Sequence, residues 1–178
     1  GAIALYLIWH ASMGARAAAK YGIFHSIAAF NNSGFDLFGG FNSLTSQATN
    51  VGVALTIMLL TIIGGIGFIV INELLYKAAH KHHKLSLHTR LALTISAILL
   101  VAGTAAFFLI ENSQPTLKDF SLPDKVLVSA FQSVNARSSG FNSIPIGGLQ
   151  TATLVIFIIL MFIGSSPGGT GGGVKTTT

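Results

Sequence analysis

The sequence predicts an all-α membrane protein made of two tandem copies of one unit: a span, a short re-entrant helix, a polar loop and a second span. Three observations predict it. Charged residues make up 8% of the chain and hydrophobic ones 51%, with mean hydropathy +0.71, whereas a soluble domain carries about 25% charged residues. No charged residue occurs in 37–72, 91–110 or 138–174, and each stretch can hold the roughly 20 residues that a span needs. Finally, the segment Phe24-His-Ser-Ile-Ala-Ala-Phe-Asn-Asn-Ser-Gly-Phe35 is echoed by Phe131-Gln-Ser-Val-Asn-Ala-Arg-Ser-Ser-Gly-Phe141. Self-similarity at a fixed spacing marks a tandem architecture.

Taken in chain order, the first residues read as the end of a span. Residues 17–30 are too short and too polar to cross, so they are expected to enter and stop inside the membrane. They lead into the loop Asn31-Asn-Ser-Gly-Phe-Asp36, and a span begins near Asn50. Gly64, Gly65 and Gly67 fall within that span and are expected to permit close helix packing. Residues 77–90 hold four of the ten Lys and Arg residues, which places them on the cytoplasmic side. His80, His82 and His83 lie there, and with no Cys, Asp or Glu beside them they read as a solvated loop rather than a metal site.

The second copy repeats the pattern. A span over 91–110 leads to residues 111–125, whose Glu111, Lys118, Asp119, Asp124 and Lys125 sum to −1 and are expected outside. Leu122-Pro123-Asp124 is a helix start, with Pro early and an acid in the first turn, so residues 123–134 form the second re-entrant helix. The loop Arg137-Ser-Ser-Gly-Phe-Asn142 follows, then an apolar run over 149–163 and the segment Gly164-Ser-Ser-Pro-Gly-Gly-Thr-Gly-Gly-Gly-Val-Lys175. Sixteen residues of helix from Leu149 to Gly164 rise about 24 Å, short of the roughly 30 Å hydrocarbon core. The glycine break therefore falls inside the membrane, where irregular backbone survives only if protein buries it or water reaches it. The organisation is a first repeat over 1–79, a cytoplasmic loop over 80–90 and a second repeat over 91–178. Gly1 is not an initiator methionine and the chain stops within a motif, so it reads as an internal piece of a longer polypeptide.

This shape suits a cation. A re-entrant helix aims its C-terminal partial negative charge at the membrane centre, and the loop beyond it offers carbonyls that replace hydration water. Gly34 and Gly140 stand where a stretched loop needs glycine. The fold class is thus tandem span–pore helix–span repeats with re-entrant filter loops, potassium-channel-like. The expected filter residues are Asn32, Ser33, Gly34 and Phe35, with Ser138, Ser139, Gly140 and Phe141; Gly34 and Gly140 carry the ion through backbone carbonyls. Asp36 is placed either at the outer mouth or as a local cap. His25 is expected to pack or to bond a loop, and Arg137 to point behind the filter toward an acidic or carbonyl partner. The segment Gly164, Ser165, Ser166, Pro167, Gly168, Gly169, Thr170, Gly171, Gly172 and Gly173, with Lys175, is expected to act as a mobile barrier beneath the filter.

Two other classes fit these residues less well. A nucleotide P-loop needs Gly-Lys-Ser/Thr, and Val174 separates Gly173 from Lys175. A secondary transporter also uses glycine-broken spans at a midplane site, but it needs no paired re-entrant Ser-Gly-Phe loops. With no cysteine in the chain, disulfides are excluded. The basic residues do not form a soluble face, so the +5 charge indicates no nucleic acid.

Residues 24–36, 131–142 and 166–178 together resemble the membrane subunit of the Trk/Ktr/HKT superfamily of bacterial and plant potassium transporters, over nearly the whole chain. The resemblance implies a multi-pass protein of the cell membrane that is no enzyme. It implies potassium uptake, with sodium as a second candidate ion, through four linked repeats around one pore. The two copies here resemble the second and third repeats, with one filter glycine each and an intramembrane gate loop over 164–173. It further implies a homodimer in the lipid bilayer, docked on a cytosolic nucleotide-binding regulatory subunit of RCK type.

Overall fold

The structure, a computed structural model, describes residues 1–40, 42–80 and 84–177. It is all-helical, in the order α1 (Ala2–Met13), α2 (Ala15–Phe30), α3 (Val51–Ile66), α4 (Phe68–Ala79), α5 (Leu87–Glu111), α6 (Leu122–Ala136) and α7 (Thr151–Phe162), with 3-10 turns at Thr45–Gln47 and Ile146–Gly148.

Local chemistry sets the helix starts. Asn50 caps α3 by accepting from Val53 N at 3.2 Å. Ser86 caps α5 by accepting from Thr89 N at 3.2 Å. Ser121 caps α6, with Pro at the opening positions and Asp124 in the first turn, an arrangement that suits the helix dipole. The 25 residues of α5 rise about 37 Å, enough to cross the bilayer core.

α1 and α2 form an antiparallel pair, closed through Gly14 at φ 77°. The pair packs on α3 around Leu5, Trp9, Ile57, Phe131 and Phe141. A second cluster around Phe107, Val128, Phe157 and Leu160 joins α5, α6 and α7, with the Phe107 and Phe157 rings stacked at 5.7 Å. The C-terminal half of α6 is buried from Phe131 to Ala136. Ile3, Leu109 and Ile158 are among many large apolar side chains left exposed, as in a helix assembly whose surroundings are hydrocarbon or further helices.

Three expectations need correction. The span opening at Asn50 is not continuous. It breaks at Gly67, at φ 91°, and α4 leaves at 98° to α3. Gly67 is thus a bend point as well as a packing glycine, since a Cβ there would run into Pro167 O. Gly64 does permit close approach, but of the end of α2: a Cβ there would run into Phe30 O. The last apolar helix is shorter than expected, starting at Thr151 after the 3-10 turn and ending at Phe162, where Ile163 bridges to Val174. Glu111, taken as a charge of an outer loop, is instead fully buried. One carboxylate oxygen accepts from Gln150 N at 2.9 Å and Thr153 Oγ1 at 2.6 Å, and the other from Thr116 Oγ1 at 2.6 Å. It thereby ties the end of α5 to the start of α7, where an anion meets the positive end of the helix dipole.

The basic segment is anchored too. Glu73 of α4 accepts from Ser86 N at 2.5 Å and Ser86 Oγ at 2.7 Å, and also from Thr89 Oγ1. His82 and His83 lie outside the described residues. Among the described residues no group of His, Asp or Glu could hold a metal ion.

Candidate functional site

The two Ser-Gly-Phe loops come together. Each follows a helix whose last carbonyls are taken by the next few N–H groups: Ser33 N donates to Ala28 O at 3.0 Å, and Ser139 N and Gly140 N donate to Asn135 O at 3.1 and 3.0 Å. The chain then turns through left-handed glycines, Gly34 at φ 69° and Gly140 at φ 84°. A side chain on Gly34 would strike Ser139 O, so residues 105 positions apart in sequence lie in backbone contact. Further out, Leu44 N donates to Asn142 O at 2.9 Å and Asn142 N to Ser43 Oγ at 3.1 Å. Both helices end at this junction, so the negative ends of their dipoles lie there, next to the guanidinium of Arg137 at the end of α6.

The side chains of the first loop turn away from the junction. Ser33 Oγ donates to Ala28 O at 3.1 Å. Asn32, at φ 52°, donates to Thr61 O at 3.3 Å and Thr170 Oγ1 at 2.8 Å. Phe35 is exposed, while Phe141 is buried in the core cluster with Trp9 and Phe131. The donors of Asn32 and Ser33 are thus taken, and their backbone carbonyls are among the acceptors left. Asp36 makes the local turn: its Oδ1 accepts from Phe38 N at 2.8 Å and Gly39 N at 3.3 Å. His25 bridges helix and loop, with Nδ1 2.8 Å from Tyr21 O and Nε2 accepting from Leu37 N at 3.4 Å. In the second loop, Ser138 Oγ and Ser139 Oγ are buried with no protein partner.

The segment after α7 folds back on itself below this junction. Gly164 N donates to Val174 O at 3.0 Å, Val174 N to Phe162 O at 2.9 Å and Ser165 N to Gly172 O at 3.1 Å. Lys175 Nζ donates to Gly171 O at 2.8 Å and Ser165 Oγ at 3.3 Å, and Ser166 Oγ is 3.0 Å from Thr176 Oγ1. This is an internally bonded hairpin. Lys175 ties the segment to itself rather than to a neighbouring span.

Other bonds join the hairpin to the rest. Thr170 Oγ1 donates to Phe30 O, the last carbonyl of α2, at 2.9 Å. Arg137, at the end of α6, donates to Gly164 O at 2.8 Å, the carbonyl partner expected of it. Thr170 N donates to Gly64 O and Ser166 N to Gly65 O, both at 3.0 Å, and Phe68 N to Gly168 O at 3.3 Å. A cavity of about 260 Å³ opens between α3, α5 and α6. Arg137, Ser138, Asn32 and Ser165 form its polar end, and Ile62, Leu93 and Leu100 are among its apolar lining.

Sequence reasoning missed the break at Gly67, the seat that α3 gives the hairpin and the role of Glu111. The repeat itself carried the signal for the first, since Gly64-Gly-Ile-Gly67 stands in the first copy where the glycine break stands in the second.

The fold and these loops define an all-helical, multi-pass membrane protein of span–pore helix–span repeats. The chain belongs to the TrkH family, described as cation transport proteins, whose family model matches residues 2–178. It is 36% identical over all of its length to the potassium/sodium uptake protein NtpJ of Enterococcus hirae. It is 37% identical, again over 100% of its length, to the Ktr system potassium uptake protein B of Vibrio alginolyticus. The Ktr system potassium uptake protein B of Bacillus subtilis is 40% identical over 88% of the chain and is covered to 34%. The first two relatives are each covered to 39%, so the chain spans well under half of their length. The potassium transporter TrkH of Vibrio parahaemolyticus has the same fold, with a TM-score of 0.67 at 19% identity over 99% of this chain and 36% of that one. These relatives are named as transport proteins, not enzymes.

Proposed function

We propose that this chain supplies two of the walls of a channel-like pore for potassium uptake, with Gly34 and Gly140 at the ion site and residues 164–173 as the gate beneath it. The observation that carries the reading is the backbone contact between the two glycine loops at the ends of two inward-pointing helices. The side-chain donors of the first loop are bonded elsewhere, so backbone carbonyls are the groups that this loop offers a cation, with Ser138 Oγ and Ser139 Oγ as unpartnered hydroxyls in the second; such oxygens suit a monovalent ion. Potassium and sodium are the candidate ions, in line with the names of the relatives. The partners in this reading are a second copy of the membrane subunit and a cytosolic nucleotide-binding regulatory subunit of RCK type.

One observation favours the alternative, a cation-coupled secondary transporter. Both second spans are broken at corresponding places, Gly67 and Gly164, as broken helices at a substrate site are. The two readings differ in energetics. In vesicles holding the full-length protein, a pore predicts potassium flux that follows the potassium gradient alone and reverses with it. Flux that requires a sodium or proton gradient at zero potassium gradient would establish the transporter instead.

The orientation belongs to the same proposal, with residues 77–90 cytoplasmic and residues 111–125 outside. A single cysteine tests it cleanly, because the chain has none. Ser86 is a poor site, since it caps α5 and bonds Glu73; Lys84 is exposed. Lys84→Cys should be inert to a membrane-impermeant thiol reagent on intact cells and should react after lysis. Labelling from outside would invert the topology.

A further inference from the structure

The break in α3 and the seat of the hairpin use the same hydrogen-bonding groups. The last carbonyls of a helix point along its axis and have no partner within it. In α3, two of them are Gly64 O and Gly65 O, which accept from Thr170 N and Ser166 N of the hairpin. In an unbroken helix the partners would be Phe68 N and Ile69 N, four residues on. The hairpin therefore occupies the space and the acceptors that a continuation of α3 would take. Phe68 N, the donor that the break releases, is bonded to Gly168 O of the same hairpin. Gly67 itself lies against it, with a built Cβ within 3 Å of Pro167, Gly168 and Gly169 backbone atoms.

We propose that the α3–α4 bend and the hairpin form one two-state element. In one state the hairpin caps α3 and α4 is bent away at 98°; in the other the hairpin has left, and α3 and α4 join as one straight helix over 51–79. The exchange gives Gly64 O and Gly65 O helical partners again, so these two carbonyls are not stranded when the hairpin leaves; the Arg137–Gly164 O and Asn32–Thr170 bonds are broken in the same step. It also frees Phe30 O, the last carbonyl of α2, from Thr170, leaving it the long bond from Asn32 Nδ2. Gly67 is the positioning residue. Its φ of 91° and ψ of 149° belong to a region open essentially to glycine alone, while the straight helix suits any residue but proline.

The inference rests on the pore reading for its flux readout only; its structural readout is independent. In the full-length protein, cysteines at Leu55 and Ala79, both exposed, carry spin labels 12 residues on either side of Gly67. The bent state puts these backbone positions about 24 Å apart and the straight state about 36 Å, at about 1.5 Å per residue. Gly67→Ala should shift the distance distribution toward the longer value. It should also raise potassium flux in the absence of the regulatory subunit by about tenfold, the factor that the usual cost of such a backbone conformation produces.

Phe68→Pro should do the reverse. Proline removes a donor from both states, the bond to Gly168 O in the bent one and that to Gly64 O in the straight one, but its ring clashes with the preceding turn only inside a continuous helix, so the distance should stay at the shorter value and flux should fall. Deleting residues 166–172 is the second route, should Gly67→Ala fail to insert, and should also lengthen the distance. An unchanged short distance in both the alanine and the deletion variants, with raised flux, would mean that the hairpin moves alone and would overturn the proposal. A lengthened distance with no potassium movement in any variant would leave the switch standing and remove the transport reading.

Discussion

Serine at Gly34 should collapse the preference for potassium over sodium by about tenfold or more, a change of about 1.4 kcal/mol in relative ion affinity. Two costs act together. Gly34 is left-handed at φ 69°, where a residue with a Cβ is strained. The added Cβ would also meet Ser139 O across the junction, so the second loop must shift as well, and carbonyls that match one ion radius no longer do so. Gly140→Ser meets only the first cost. Its φ is 84° but nothing lies within 4 Å of its built Cβ, so its effect should be smaller. Paired potassium and sodium uptake in full-length variants at matched expression measures both. Unchanged selectivity at both positions would remove these glycines from the ion site.

The largest stability effect is expected at Glu111. Glu111→Ala should cost about 3 kcal/mol or more, because it strands Gln150 N, Thr153 Oγ1 and Thr116 Oγ1 at a buried site, and unpaired buried donors carry their full desolvation cost. Glu111→Gln should be much milder. Its carbonyl oxygen can still accept from Gln150 N and Thr153, and the Thr116 hydroxyl can turn to accept from the new amide. Thermal unfolding of the detergent-solubilised full-length variants distinguishes the two. Equal losses in both would mean that the negative charge, not the bonding pattern, holds α5 to α7.

The two corrections at Gly67 and Glu111 share a cause. Each looked ordinary in its own stretch: a glycine within an apolar run, and an acid at the edge of a polar loop. Their roles depend on partners far along the chain. Gly67 bends because residues 166–170 cap the helix before it, and Glu111 is buried because residues 150 and 153 supply donors. His25 fared better, since the loop group it bonds lies within 12 residues; for Asp36 the local cap, one of its two readings, is present, and bonds of that range are visible in sequence. The hairpin stood between: its irregularity was legible from six glycines and a proline over residues 164–173, but its order was not.

The sequence by itself determined the membrane class, the two-copy organisation and the places of the re-entrant helices and glycine loops. Those follow from composition, charge-free length and self-similarity, which act over a few turns of chain. Only the tertiary structure decided that the two loops touch, that Arg137 holds Gly164 O, and that a broken helix in one repeat is capped by a hairpin from the other. A buried backbone group must find a partner, but which partner is a matter of what folding brings within 3 Å, and no local pattern encodes that choice.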